Sequence, residues 1–332
     1  MRAGFYFLRV LYCLIGLIAS PVFAQSPQIK VVAFAGASNW PFWVGQQKGF
    51  FEQNKIEAQL DITPNSIEMA KNLHQGRYDL ALTSVDNIIA YDEGQGEAQL
   101  DGAVNFVALF GVDNGLLNVM AQPEITSFAD LKGKTVSVDA MTTGFAFVLR
   151  DLLEKNQIGL HDVQWIKVGG GAQRLEALNK KEQALTLLNT PLDLLAEARG
   201  MRRLVNVQTS YGAYQGIVGA STRKTAQDKS DLLASFIKAF HQSVGWLADP
   251  SNKEEALSIL QAKIPSMTRS TAEKAYQILL DPQQGLYRDL RINRLGMQTV
   301  LALRSRYGEP KKTLLDPERY IDENLLNRVL QK

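Results

Sequence analysis

The residues that could do chemistry in this sequence lie in short polar turns, each directly after an apolar, strand-like run. The first turn is the richest: Ser38 and Asn39 carry hydrogen-bonding groups, and Trp40 and Phe42 add two aromatic rings beside them. Rigid rings provide stacking surface for a flat ligand at a small cost in conformational entropy. The turn therefore indicates a site for a flat ligand, unless both rings only pack inside the domain.

Helical geometry predicts that the rings of this turn point in different directions. Phe42 lies about 200° around the helix from Trp40, at about 100° per residue. Trp43 shares the face of Trp40, because three positions separate them. Trp40 and Phe42 therefore cannot both face the core. We expect Trp43 to pack in the core and one of the other two rings to border the ligand site.

Later turns add acids, hydroxyl groups and a helix start. Asp86 and Asp113 are candidate acceptors for N–H donors of a ligand, although a single aspartate most often caps a helix or turn. Thr142–Gly144 begins a helix whose unpaired N–H groups favour an anion. Arg174 is a further candidate base, although exposed arginines are commoner. The complete set of candidate ligand-binding residues is Ser38, Asn39, Trp40, Phe42, Ser84, Asp86, Asp113, Thr142, Thr143, Gly144, Phe145, Asn189, Tyr211 and Tyr214.

The usual signatures of a metal site or a nucleophilic enzyme are missing from the sequence. The three histidines, His74, His161 and His241, are far apart, and no pair has metal-binding spacing. The only cysteine is Cys13. Basic and acidic residues nearly balance, at 36 and 34, so the charge does not indicate a nucleic-acid binder. We expect no catalytic residue, no metal and no cofactor.

The N-terminal segment predicts export. Arg2 and Arg9 form a basic start, Val10–Ile18 is a short apolar run, and small or medium residues precede Gln25. This pattern is typical of a secretory signal peptide over 1–24. A membrane anchor is the alternative, but the run is shorter than the roughly 20 apolar residues that span a bilayer. The mature protein is therefore expected in the periplasm.

Strands and helices alternate twice along the rest of the chain, and a helical tail follows. Such alternation is typical of βαβ units with parallel sheets. Strand-like runs connect the two α/β units near 114–123 and 211–221, and two crossing strands would make a hinge with a cleft between two lobes. We predict an α/β protein with lobe 1 over 25–116, lobe 2 over 117–213, and a return strand and C-terminal helices over 214–332.

Several motifs, taken in order, resemble a known family. They are "QQKGFFEQNKIEAQL", "LHQGRYDLALTSVDNIIAYDEG", "SFADLKGKTVSVDAMTTGFAFVLRDLLEKNQI" and "VGGGAQRLEAL". The chain resembles the periplasmic solute-binding proteins of ABC importers, in the branch that handles nitrate, sulfonates, taurine and thiamine-pyrimidine precursors. The resemblance implies a two-lobed periplasmic-binding-protein fold of type II character, with two parallel-rich sheets. It also implies an inner-membrane ABC permease as partner.

The candidate turns favour an aromatic or heteroaromatic solute over a simple inorganic anion. They hold several rings and two acids, whereas an anion such as nitrate needs donors and little ring surface. At Asn189 the chain departs from the family pattern, which usually has an acidic or small residue there. We expect a monomer that captures a small organic solute. The alternatives are an enzyme related to pyrimidine-precursor synthesis and a ligand-sensing partner of a membrane receptor.

Overall fold

Two five-stranded sheets organise the molecule, as a computed structural model shows for residues 26–331. The predicted signal peptide over 1–24 and its cleavage site lie outside the described residues. In chain order, the strands are β1 (Gln28–Ala33), β2 (Glu57–Ile62), β3 (Leu80–Ser84), β4 (Phe106–Gly111), β5 (Leu117–Ala121), β6 (Thr135–Val138), β7 (Gln164–Lys167), β8 (Leu185–Asn189), β9 (Arg202–Asn206) and β10 (Ile217–Thr222).

Helices cover the sheets and form the C-terminal part of the chain. In chain order, they are α1 (Trp40–Gln47), α2 (Phe50–Gln53), α3 (Ser66–His74), α4 (Val85–Asp92), α5 (Gly144–Lys155), α6 (Gly171–Asn179), α7 (Leu192–Glu197), α8 (Val207–Tyr211), α9 (Arg223–Asp228), α10 (Ser230–Ala248), α11 (Lys253–Lys263), α12 (Arg269–Leu279), α13 (Arg294–Tyr307) and α14 (Asn324–Leu330). Among residues 26–331, no helix combines the length and apolar character needed to cross a bilayer.

The two sheets have the same plan. The first has the order β2-β1-β3-β10-β4 and the second β7-β6-β8-β5-β9. In each sheet the fourth strand, β10 or β5, is antiparallel to both of its neighbours, and the other described pairs are parallel. Strands β3 and β4 are buried along their whole length, as their continuous apolar runs predict. The expected two-lobed α/β fold with parallel-rich sheets is confirmed.

Each antiparallel strand is the one by which the chain changes sheets. The chain leaves the first sheet after β4 and enters the second at β5, and it returns from the second sheet to the first at β10. We call the two crossings, 112–116 and 212–216, the hinge, and we call the halves around the two sheets lobe 1 and lobe 2. The crossings touch, because a Cβ on Gly216 would lie 1.9 Å from the backbone nitrogen of Gly115.

The helical tail completes the core of lobe 1. Helix α10 packs against α1, α2 and α14. Its apolar stripe, which has the i, i+3, i+4 spacing of an amphipathic helix, is fully inside the protein. The buried residues of the stripe are Leu233, Phe236, Ile237, Phe240, Val244 and Leu247.

Candidate functional site

A small cavity of about 50 Å³ lies in the cleft between the lobes, at the ends of strands and the starts of helices. This is where ligands bind in open α/β sheets, because loops and helix N-termini converge there. Lobe 1 contributes residues after β1, at the start of α4 and at the start of β10. Lobe 2 contributes the starts of α5 and α6 and the ends of β6 and β8. The lining residues are Phe34, Ala35, Ser84, Asn87, Asp139, Thr143, Gly144, Phe145, Gly170, Gly171, Arg174, Asn189 and Ile217.

Arg174 is the only arginine or lysine among these lining residues. Its side chain is buried, and burial lowers the pKa of its guanidinium to about 10, so the group stays charged at neutral pH. Its Nε and Nη2 donate to the carbonyl of Leu187 at 3.3 and 3.1 Å, and its Nη1 donates to the carbonyl of Gly169 at 2.6 Å. A guanidinium has five N–H donors, so two remain for an anionic ligand.

Two helix N-termini from lobe 2 add to this positive potential. Thr143 caps α5, with its hydroxyl accepting from the backbone N–H of Ala146 at 3.3 Å. Gly170 precedes α6 in an extended conformation, without a capping side chain. Helix N-termini favour anions because their first N–H groups lack partners within the helix. Arg174 and the two helix starts therefore place positive potential on the lobe 2 side of the cleft.

Asp139 provides an acceptor in the same cavity. Its Oδ2 accepts from the backbone N–H of Ser66 in lobe 1 at 2.9 Å, whereas its buried Oδ1 has no hydrogen-bond partner. Buried polar atoms are normally paired, and an unpaired one needs an explanation. An N–H or O–H donor on a ligand would satisfy this oxygen.

Two aromatic rings line the cavity from opposite lobes. Phe34 follows β1 in lobe 1, and Phe145 lies in the first turn of α5 in lobe 2. Both side chains are partly buried. The cleft therefore combines one guanidinium, one carboxylate and two rings within a small volume.

The lobes meet through several contacts beside the cavity. The N–H of Gly170 donates to the carbonyl of Pro64 at 2.8 Å. Arg306 of α13 pairs with Asp151 of α5 at 2.8 Å, and Tyr307 donates to Glu154 at 2.8 Å. Lobe 1 and lobe 2 are thus held against each other by hydrogen bonds and ion pairs on more than one element.

Some of the predicted site residues come together in this cavity. They are Ser84, Thr143, Gly144, Phe145 and Asn189. Ser84 and Asn189 end strands and the other three residues begin α5, and these strand ends and helix starts are the feature used to select them from the sequence.

The expectation that Trp40 or Phe42 borders the cleft is wrong. Both side chains are fully buried, and neither lines the cavity. Phe42 packs against Phe51 in lobe 1, at 5.0 Å between ring centroids, and Trp40 meets Tyr276 edge-on at 6.1 Å. The C-terminal helices cover this turn from outside the sheet, so a ring can enter the core on either side of α1. Trp43, expected in the core, is only partly buried against it.

Asp86 does not line the cavity. Its carboxylate is paired with an arginine from a distant part of the chain. Its two oxygens accept from Nε and Nη2 of Arg304, at 2.7 and 2.5 Å, and both side chains are fully buried. The same Nη2 also donates to the carbonyl of Thr142 across the lobes, at 2.7 Å. Asp86 therefore forms part of a lobe contact instead of accepting from a ligand.

Asp113 also has a structural position, in the first crossing of the hinge. Its carboxylate accepts from the hydroxyl of Ser38 at 2.6 Å and from the N–H groups of Gly115 and Ile217 at 2.7 and 3.2 Å. Burial raises the pKa of this carboxyl group, against the lowering effect of those bonds. Ser38 and Asp113 thus join the first turn of lobe 1 to the hinge.

The remaining predicted residues stabilise the surroundings of the cavity without lining it. Asn39 donates to the carbonyl of Phe34 at 2.8 Å. The hydroxyl of Thr142 donates to Glu97 at 3.1 Å, and Tyr211 donates to Asp151 at 2.6 Å. Tyr214 is buried in the second crossing of the hinge.

Three of the most informative lining residues, Phe34, Asp139 and Arg174, were not among the ligand-binding residues selected from the sequence. Phe34 and Asp139 directly follow β1 and β6 in the structure, whereas the runs IKVVAFA and KTVSVDA predict strands that still include them. Arg174 was named only as a candidate base. Its helical position three residues after Gly171 places it in the first turn of α6, facing the strand ends.

Two α/β lobes, a hinge of two crossings and a polar cavity at the strand ends define a two-lobed binding-protein architecture. The chain belongs to the NMT1/THI5-like family, whose model matches residues 12–253. It is also similar to YtlA of Bacillus subtilis (strain 168), named as a candidate binding protein, with 24% identity over 260 residues, or 76% of each chain.

Solved structures with this fold include a nitrate-binding protein and an alkanesulfonate-binding protein. The periplasmic nitrate-binding protein NrtA of Synechocystis PCC 6803 has a TM-score of 0.74 at 14% identity, over 92% of this chain and 89% of that one. The alkanesulfonate-binding protein SsuA of Xanthomonas axonopodis pv. citri, bound to MOPS, has a TM-score of 0.68 at 14% identity, over 92% and 98% of the two chains. At this level of identity the similarity concerns the fold.

Proposed function

We propose that the protein is the extracytoplasmic solute-binding component of an ABC importer, and that its cleft binds a small organic anion. The observation that carries this proposal is the buried guanidinium of Arg174, which retains two N–H donors beside the starts of α5 and α6. Family membership and the names of YtlA, NrtA and SsuA support a binding role.

The body of the solute is proposed to be aromatic or heteroaromatic. Phe34 and Phe145 come from opposite lobes, so a ring between them would gain stacking contacts only when the lobes close. The free oxygen of Asp139 would accept an N–H or O–H group on the edge of that ring. A ligand stabilises the closed form only by binding it better than the open form, and contacts with rings from both lobes would provide this difference.

The size of the cavity supports a second candidate solute, a compact anion without a ring. A cavity that binds benzene measures about 150 Å³, whereas this one measures about 50 Å³. A ring would therefore require the lobes to lie further apart than they do here. A compact anion without a ring, such as a small alkyl sulfonate or nitrate, is the alternative that the volume favours.

Calorimetric titration of the protein, freed of any co-purified solute, separates these candidates. The panel contains pyrimidine and benzene carboxylates and sulfonates, their uncharged analogues, short alkyl sulfonates and nitrate. Native mass spectrometry of the protein purified without denaturation identifies any solute that it carries. Binding of uncharged analogues as tightly as anions would contradict the proposed anion site.

Variants of Arg174 test the proposed contact directly. Arg174→Gln should weaken anion binding by about 10- to 100-fold, since a hydrogen bond to a charged group contributes about 1.5–3 kcal/mol. Arg174→Lys keeps the positive charge but loses the planar set of N–H donors of a guanidinium, so its affinity should lie between those of Arg174→Gln and the wild type. Arg199→Gln is the matched control, because Arg199 is exposed on lobe 2 away from the cavity. Equal affinities for Arg174→Gln and Arg199→Gln would remove Arg174 from the site.

The proposed importer role requires that the protein is exported and that it has a membrane permease as its partner. We propose a monomer in the periplasm, with its signal peptide removed before Gln25, that delivers solute to an inner-membrane permease. N-terminal sequencing of the exported protein should begin at Gln25. Chemical conversion of a bound solute would instead favour the enzyme alternative, and a receptor without a permease would favour the sensing alternative.

A further inference from the structure

A second, larger cavity of about 230 Å³ lies at the hinge, apart from the cleft. Its walls come from both lobes. The hinge and the second sheet contribute Asn114, Leu116 and Asn118, whereas Gln277 and Gln284 come from α12 and the turn after it. By the volume of liquid water, about 30 Å³ per molecule, the cavity has room for a small organic molecule.

Two asparagines at the hinge have unused hydrogen-bonding atoms. Asn114 accepts from the N–H of Leu116 at 3.1 Å through Oδ1, but its buried Nδ2 has no partner. Asn118 donates to Asp193 at 2.8 Å through Nδ2, but its buried Oδ1 has no partner. One unpaired donor and one unpaired acceptor thus belong to side chains that line the same cavity. Unpaired buried polar atoms are rare in folded proteins.

The rest of the lining is mixed: Leu116, Leu117, Val207 and Ile278 are apolar, and the charged groups already have partners in the protein. Arg203 pairs with Asp193 at 3.0 Å, and Asp281 accepts from the N–H groups of Gln283 and Gln284 at 2.9 and 2.8 Å. The lining contains no aromatic ring. What remains available is a set of carboxamides, which both donate and accept.

We propose that the hinge cavity binds a small neutral molecule rich in hydroxyl groups, such as a polyol or a monosaccharide. Hydroxyl groups donate and accept at the same atom, so they match carboxamides in either orientation. An anion would find no free cationic group there, because Arg203 is paired with Asp193 and Glu197. This proposal does not depend on which solute the cleft binds.

The position of the hinge cavity couples it to the cleft. Asn189 lines the cleft and the next residue, Thr190, lines the hinge cavity. The N–H of Thr190 donates to the carbonyl of Leu116 in the first crossing, at 3.1 Å. A molecule that bridges α12 of lobe 1 and α8 of lobe 2 would therefore stabilise the lobe orientation seen here. It would raise the affinity of the cleft for a solute that binds best to this same orientation.

The test uses the exported protein purified without polyols, with glycerol, xylitol and glucose as probes. Saturation-transfer NMR detects binding, and titration measures affinity. Gln208→Leu in lobe 2 and Gln284→Leu in lobe 1 each remove a carboxamide that makes no side-chain hydrogen bond among the described residues, so both variants should fold. Each should weaken binding of the preferred probe about three- to tenfold, as expected for one neutral hydrogen bond.

Two controls test whether the effect is specific to the lining residues. Gln283→Leu changes the exposed neighbour of Gln284, which does not line the cavity, and it should leave probe binding unchanged. Arg199→Gln changes an exposed residue of lobe 2 that also lies outside the lining, and it should leave probe binding unchanged too. The proposal is overturned if none of the three probes binds the wild-type protein, or if Gln208→Leu and Gln284→Leu bind as well as Gln283→Leu.

Discussion

Single residues in this protein owe their roles to the partners that they meet in the folded chain. Asp86 meets Arg304 in a buried ion pair, Asp113 meets Ser38 beside the hinge, and Arg174 is held by backbone carbonyls. A buried ion pair contributes little net stability, but removing one partner is costly, because the other charge stays buried without compensation. These charges therefore specify where the lobes and the hinge sit more than they strengthen the fold.

Asp193 predicts a dependence of stability on pH. Burial raises the pKa of this fully buried carboxyl group from 3.8 to about 6, although the nearby Arg203 opposes the shift. A raised carboxyl pKa means that the folded state binds the proton more tightly than the unfolded state does. The stability contributed by protonation is therefore complete below about pH 4 and is lost as the pH rises through about 6.

Asp193→Asn should remove this dependence. Urea unfolding at pH 4.5 and 7.5 measures the difference in unfolding free energy between wild type and variant. Relative to the variant, the wild type should gain stability at the lower pH, by at most about 3 kcal/mol. Asp101→Asn, at an exposed aspartate, is the control and should show no such change. A difference that is the same at both pH values would mean that Asp193 is ionised throughout.

At the scale of elements, the start of α5 is the part of lobe 2 that fits most closely against lobe 1. A Cβ on Gly144 would lie 2.4 Å from Cγ of Asp86, and Asp86 is fixed by Arg304. Glycine at this position lets the helix N-terminus approach both the ion pair and the cavity. The same closeness explains how Phe145 reaches the cleft from the first turn of the helix.

Gly144→Ala should impair closure while leaving each lobe folded. The added methyl group cannot fit between α5 and Asp86, so solute affinity should fall at least tenfold, as measured by calorimetry with the tightest ligand of the panel. Gly245→Ala is a matched control, because Gly245 in α10 has open space around it and alanine favours helix. If Gly144→Ala bound solute as tightly as Gly245→Ala, the close contact would not be needed for binding.

At the scale of the whole molecule, two kinds of connection join the lobes: the crossings of the hinge and the side-chain contacts beside the cleft. The hinge joins the sheets through only two segments, whereas Arg306, Tyr307 and the pair of Lys167 with Glu97 connect the lobes beside the cleft. Partly exposed ion pairs such as that of Lys167 with Glu97 contribute little individually and are screened by salt. A solute that contacts both lobes would add to the buried contacts that already connect them.

Small-angle X-ray scattering should detect this closure. The radius of gyration should be smaller with saturating solute than after its removal, because hinge closure brings the two lobes together. The Gly144→Ala variant should show a smaller decrease than Gly245→Ala. An unchanged scattering curve for the wild-type protein with a tightly bound solute would contradict the clamp mechanism.

The sequence by itself determined the architecture of this protein. Apolar runs and helical stripes are local patterns, so the residues of β3, β4 and α10 by themselves indicate two buried strands and an amphipathic helix. The order of strands and helices then implied two lobes, and the rule that ligands meet strand ends selected Ser84, Thr143 and Asn189. Local pattern is sufficient here because burial of a strand or helix face depends mainly on its own periodicity.

Only the tertiary structure decided which polar and aromatic residues face the cleft. Trp40 entered the core because a C-terminal helix, more than 200 positions later, places Tyr276 against it. Asp86 became unavailable because Arg304 approaches from α13. Arg174 became available because β8 and the preceding glycines hold its guanidinium at the cavity. Trp40 and Asp86 contact residues from distant parts of the chain, so the sequence around each of them does not indicate which partner it will have.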